Sequence, residues 1–102
     1  MSASRPQGTQ EQAQKTIENG GVVIYWRPGC PFCARLDEGL GEIGDRALWV
    51  NIWEDEAASE FVRSVNDGNE TVPTVANSEK AFVAASSKAP KIVSLMIEKS
   101  GK

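Results

Sequence analysis

The residues with the most distinctive chemistry in this 102-residue chain are its two cysteines, Cys30 and Cys33. They close the run Val22–Cys33, VVIYWRPGCPFC. Val22 to Trp26 are β-branched or aromatic without a break, as in a strand covered on both faces. Pro28-Gly29 end that strand. Pro31 suits the first turn of a helix, where a missing N–H costs nothing. Cys30 therefore falls at or just before a helix start, and Cys33 one turn further in. The free N–H groups and the dipole of a helix N-terminus favour an anion, so a thiolate at Cys30 is favoured there. Cys33, at i+3, shares the face and is close enough to close a disulfide after a modest rotamer change. Cys30 is expected to be the exposed, attacking thiol and Cys33 the more buried, resolving one. Two structural cysteines, or half of a zinc site, are the other readings of the pair. A zinc site usually takes four Cys or His ligands. With two Cys and no His, an all-protein site here would need carboxylates or a second chain. The strand-turn-helix context favours redox chemistry.

The elements that position the pair follow from periodicity. Thr9 predicts a helix cap, with Gln12 completing a capping box, and the helix runs to Asn19 before Gly20-Gly21. After the cysteines, Leu36, Leu40 and Ile43 form one apolar stripe. Gly39 and Gly41 weaken that helix, and Gly44 is expected to end it. Leu48–Trp53 reads as a strand, with Leu48, Val50 and Ile52 on one face and Trp49, Asn51 and Trp53 on the other. Trp49 and Trp53 are assigned to packing, and Trp26 to the core. Strand, helix, strand makes a right-handed βαβ unit with parallel strands. Glu54–Glu56 open a helix whose stripe is Ala57, Ala58, Phe61, Val62 and Val65. Asn66–Asn69 are a loop. Thr71–Ala76 is a third strand, and Ala81–Val83 a fourth, antiparallel to it. A last helix spans Lys88–Lys99, capped by Ser86 or Ser87, burying Ala89, Ile92, Val93, Met96 and Ile97. The fold class is α/β: a four-stranded mixed sheet with helices on both faces.

The whole chain sets bounds. Its length suits one domain, read as residues 9–102 after a mobile tail, Met1–Gly8. No apolar run is long enough to span a membrane. The start, MSASRPQGTQEQAQ, lacks an apolar signal core, which points to the cytoplasm. There a thiol pair is catalytic more often than structural. The net charge of −3 comes with no basic cluster, which argues against a nucleic-acid partner. The absence of long apolar surface runs suggests a monomer.

In this order of elements, Cys30-Pro31-Phe32-Cys33 and Thr71-Val72-Pro73 resemble the CPYC/CPFC and TVP signatures of the glutaredoxin family, which has the thioredoxin-like three-layer fold. The likeness covers Val22 to Val75 well and the last quarter weakly. Within the family, Ala58–Val75, ASEFVRSVNDGNETVPTV, looks most like the actinobacterial mycoredoxins, which use mycothiol. The resemblance implies that Cys30 is the nucleophile and Cys33 the resolving cysteine. It implies a cis peptide bond before Pro73, leaving the Val72 backbone to pair with an extended substrate; an ordinary strand-start proline is the plainer reading. Arg27 matches a basic residue that contacts a carboxylate of glutathione in glutaredoxins, or else is a solvated arginine. Phe32 is expected to stay exposed as an apolar wall. Arg27, Pro31, Phe32, Thr71, Val72 and Pro73 are thus the expected small-thiol site.

Many glutathione-using glutaredoxins carry a Gly-Gly and then an acidic pair after the fourth strand. Here the region reads SEKAFVAASSKAP, with neither. The implied activity is reduction of mixed disulfides between a protein and a small thiol, or of protein disulfides. It needs no bound cofactor. The co-substrate is a low-molecular-weight thiol, mycothiol or else glutathione, with its own reductase system. A thioredoxin- or NrdH-like redoxin reduced by a flavoprotein reductase is an alternative. A non-enzymatic iron–sulfur carrier is another, although cluster-carrying glutaredoxins typically have one cysteine followed by glycine.

Overall fold

The computed structural model describes residues 5–100. Its elements are α1 (Gln10–Glu18), β1 (Val23–Trp26), α2 (Pro31–Leu40), a 3-10 segment (Gly41–Arg46), β2 (Leu48–Asn51), α3 (Glu56–Val65), β3 (Thr74–Ala76), β4 (Ala81–Val83) and α4 (Ala89–Lys99). One mixed sheet has the order β2-β1-β3-β4. β1 runs parallel to β2 with Trp26 opposite Asn51, antiparallel to β3 with Tyr25 opposite Thr74, and β3 is antiparallel to β4.

Alternation along the strands builds two apolar layers. Val23, Tyr25, Val50 and Ile52 meet Ala13 of α1 and Ala58 and Val62 of α3. Val22, Ile24, Trp49 and Val75 meet Leu36 and Leu40 of α2 and Ala89, Val93 and Ile97 of α4. β1 is therefore buried on both faces, as its unbroken apolar run predicts. Thr9 and Gln12 form the expected capping box, with Thr9 Oγ1 accepting from Gln12 N and Gln12 Oε1 accepting from Thr9 N.

Several boundaries differ from the sequence expectation. The expected mobile tail, residues 1–8, falls partly outside the described residues. The part that is described, 5–8, packs along β2: Trp49 N donates to Pro6 O, Gly8 N donates to Trp49 O, and Arg5 is buried. Helix α2 stops at Leu40 rather than near Gly44, because Gly41 takes φ +59°, a conformation that only glycine adopts at no steric cost. Gly39 has a packing role: a Cβ there would lie 2.6 Å from the Pro90 ring of α4. Asp55 caps α3 by accepting from Ala57 N at 3.0 Å. No side chain caps α4; the Ser86 carbonyl accepts from Ala89 N instead. Ile92, expected in the core, is exposed, since the buried stripe of α4 follows Ala89, Val93 and Ile97. No helix among the described residues is long and apolar enough to cross a membrane.

Candidate active site at the start of the second helix

β1 ends at Trp26 and the chain turns through Pro28-Gly29 into α2, whose N-cap is Cys30 and whose first residue is Pro31. Cys30 holds extended backbone (φ −93°, ψ 111°), and its Sγ accepts from the Cys33 N–H at 3.2 Å. The sulfur thus takes the place that a serine or aspartate oxygen fills at an ordinary N-cap, satisfying one of the orphan donors of the first turn. On its other side, the Cys30 thiol donates to the Val72 carbonyl at 3.6 Å.

Both cysteines are free thiols. Cys33 is fully buried, and Cys30 is 5% exposed. Cys30 is therefore far less open than the attacking thiol expected from sequence, because Val72 and the first turn of α2 close over it. Burial, and then the hydrogen bond with the Cys30 sulfur, push the Cys33 thiol up to about 12, while a hydrogen bond from the Arg27 backbone works the other way. At neutral pH Cys33 holds its proton. Both thiols are buried, and Cys33 is held in the less reactive, protonated form.

The Thr71–Pro73 segment forms the opposite wall. The Val72–Pro73 peptide bond is cis, Val72 and Pro73 are buried, and Thr71 is exposed. β3 begins only at Thr74, later than the expected Thr71. Phe32 is 45% exposed, as expected, with the Arg35 guanidinium 5.5 Å from its ring centroid. Phe32, Arg35 and Leu36 line one side of a cavity of about 290 Å³, and Ala84–Ser87 and Pro90 line the other. Arg35 and Ala84–Ala85 were not singled out from sequence; only the fold brings the β4–α4 connection to this side of α2.

Arg27 and Trp53 form a second flank. Each follows the end of one of the two parallel strands, and Ile52 N donates to Trp26 O between them. The Arg27 guanidinium lies 5.5 Å from the Trp53 ring centroid, and its Nη1 donates to the Pro28 carbonyl. Trp53 is 61% exposed, which corrects its assignment to packing. β2 has already ended at Asn51, whose side chain accepts from Trp53 N at 2.9 Å and turns the chain outward. Trp49 is fully buried, as expected. Trp26 is half-buried, with its Nε1 donating to Gln7. Among the described residues, no group of three or more His, Cys, Asp or Glu is placed to hold a metal ion.

The arrangement pairs an N-cap sulfur with a buried second thiol, a backbone wall and an adjoining cavity. That is an arrangement for thiol–disulfide exchange. Comparisons with known proteins agree with the chemistry. The glutaredoxin family model matches residues 22–82. Mycoredoxin 1 of Corynebacterium glutamicum is 45% identical over 58 residues, covering 57% of this chain and 71% of the relative. A chloroplastic glutaredoxin-C4 of Oryza sativa is 30% identical over 74 residues, covering 71% of this chain and 56% of the relative. The fold is similar to that of a thioredoxin from Malassezia sympodialis, with a TM-score of 0.61 at 17% identity over 97% of this chain and 92% of that one.

Proposed function

We propose, for a chain that belongs to the glutaredoxin family of thiol–disulfide oxidoreductases, that Cys30 reduces mixed disulfides between proteins and a small thiol and that Cys33 is the resolving cysteine. The observation that carries this reading is the asymmetry of the pair. Cys30 sulfur is the N-cap acceptor of α2, whereas Cys33 is buried with its thiol pushed up to about 12. In the first step the Cys30 thiolate attacks the sulfur of the small thiol. The bond to the protein sulfur breaks, the protein leaves as a thiolate, and a new disulfide joins Cys30 to the small thiol. A second small thiol then attacks that adduct, forming the small-thiol disulfide and returning Cys30 as thiolate. In the dithiol route Cys33, on losing its proton, attacks Cys30 instead, closing the Cys30–Cys33 disulfide and releasing the small thiol.

Mycothiol is the small thiol this reading favours. Its support is the 45% identity to a mycoredoxin and a β4–α4 connection, Ala84–Lys88, without the Gly-Gly and acidic pair of many glutathione users. In this reading Val72 and Pro73 offer backbone to the extended part of the substrate, with Thr71 beside them. Pro31 and Phe32 form the apolar wall, and Arg27 meets an anionic group. The body of the small thiol occupies the cavity between Phe32 and Ser86-Ser87.

The test is the choice of reductant. The oxidised protein is reduced, and a mixed disulfide turned over, with mycothiol, with glutathione, or with thioredoxin reductase and NADPH. Turnover with mycothiol in preference to the other two is the expected result. Preference for the reductase would make the protein a thioredoxin-like carrier and overturn the small-thiol reading.

A further inference from the structure

We propose that Thr74 is a positioning residue: its hydroxyl, held by Asn66, sets the Val72 backbone against the Cys30 sulfur. Thr74 is the first residue of β3 and is fully buried. Its Oγ1 donates to the Thr71 carbonyl at 2.7 Å and accepts from Asn66 Nδ2 at 3.0 Å. A hydroxyl has one proton. Since that proton goes to Thr71, the amide of Asn66 must supply the second bond, and the direction of the relay is fixed. Asn66 is itself anchored, because it is the C-cap of α3 and its N–H donates to the Arg63 carbonyl.

The relay spans the segment that walls the nucleophile. The Thr74–Thr71 bond closes a loop containing only Val72 and Pro73 between its ends, and the Val72 carbonyl accepts from the Cys30 thiol at 3.6 Å. One buried hydroxyl therefore connects the end of α3 to the residue before Val72. The Arg63 bond to Glu70 braces the same loop from outside, but it is exposed, and water and salt compete with it. The bonds of the Thr74 hydroxyl are part-buried and meet less of that competition. A valine at position 74 would fit the same space and leave Thr71 and Asn66 without their shared partner. The strand would keep its packing and the loop would lose its tether.

This inference rests on Cys30 being the nucleophile and Val72 facing the substrate. Its test is a single turnover without added reductant. The reduced protein is mixed with increasing amounts of a peptide–mycothiol or peptide–glutathione mixed disulfide, and release of the peptide thiol is followed. Thr74→Val should raise the half-saturating concentration at least five-fold and change the limiting rate less than two-fold. Thr74→Ser, which loses a core methyl but keeps the hydroxyl, should stay within two-fold of wild type in both while its melting temperature falls. Wild-type behaviour of Thr74→Val, or losses in both variants that simply follow melting temperature, would overturn the proposal. If Thr74→Val does not fold, Asn66→Ala decides: a two- to three-fold rise in half-saturation supports the relay, and no rise sinks it. Absence of peptide release from wild type would instead strike at the reading of Cys30, and the positioning role would fall with it.

Discussion

Arg5 Nε donates to Asp37 Oδ1 across 2.6 Å, with the two side chains only 7% and 10% exposed. The same guanidinium donates to the Asp37 and Gly41 carbonyls at 2.7 Å each, and to Asp45 at 3.1 Å. These carbonyls belong to the last turn of α2 and the residue that ends it, where acceptors have no intrahelical partner and the dipole favours a cation. The thiols sit at one end of α2, and Arg5 caps the other.

Arg5→Ala should therefore destabilise the fold by about 3 kcal/mol, because it removes a buried guanidinium and its bonds to the Asp37 carboxylate and to the Asp37 and Gly41 carbonyls. Urea unfolding measures this. A change under ~0.5 kcal/mol, as at an ordinary surface position, would show that the N-terminal segment does not hold the helix.

Only one thiol should react at neutral pH. Iodoacetamide should modify Cys30 in the reduced protein and leave Cys33 untouched, because burial and the Cys30 hydrogen bond keep Cys33 protonated up to about 12. Mass spectrometry of the peptides reads the site. Cys30→Ser should abolish turnover of a mixed disulfide, and Cys33→Ser should spare it. Complete loss in Cys33→Ser would refute the assignment of roles.

Cys33 also predicts an alkaline loss of stability. In the unfolded chain the thiol loses its proton near the ordinary value of 9.0, and in the folded protein only near 12. Between those values the unfolded chain binds fewer protons, so stability falls as pH rises and is fully present below about pH 9. Tyr25, raised by burial, contributes in the same direction at high pH. The difference between wild type and Cys33→Ser, both reduced, isolates the thiol. A pH-independent difference between pH 8 and 11 would contradict its burial.

Gly39→Ala should destabilise the protein even though alanine is the better helix former by about 1 kcal/mol. Its Cβ would meet the Pro90 ring at 2.6 Å, and overpacking of this kind costs about 1–3 kcal/mol. Thermal unfolding separates the two effects by sign: a rise in melting temperature would mean that α2 and α4 have room to part.

The tryptophan within β2 and the one just past its end should behave oppositely. Trp49→Ala removes a fully buried indole that donates to the Gly44 carbonyl at 2.8 Å, and should cost about 3–5 kcal/mol. Trp53→Ala removes an exposed ring and should stay within ~0.5 kcal/mol of wild type. Comparable losses at both sites would place Trp53 back in the core.

The sequence by itself determined the element order, the parallel β1–β2 pair, the antiparallel β3–β4 pair and the Cys30–Cys33 helix start. Those follow from local signals: an unbroken apolar strand, Pro31 in a first turn, and i, i+4 stripes that have one way to be buried. The family likeness added the Val72–Pro73 wall. Only the tertiary structure decided which side of each tryptophan meets solvent, since alternation places Trp49 and Trp53 on one strand face and β2 ends between them. It decided that residues 5–8 pack, because the partner of Arg5 lies 32 positions away at Asp37. It decided the burial of Cys30 and the Asn66–Thr74–Thr71 relay for the same reason. A side chain's partner across the fold leaves no periodic trace in the chain; it is set by where helices and strands come to rest against one another.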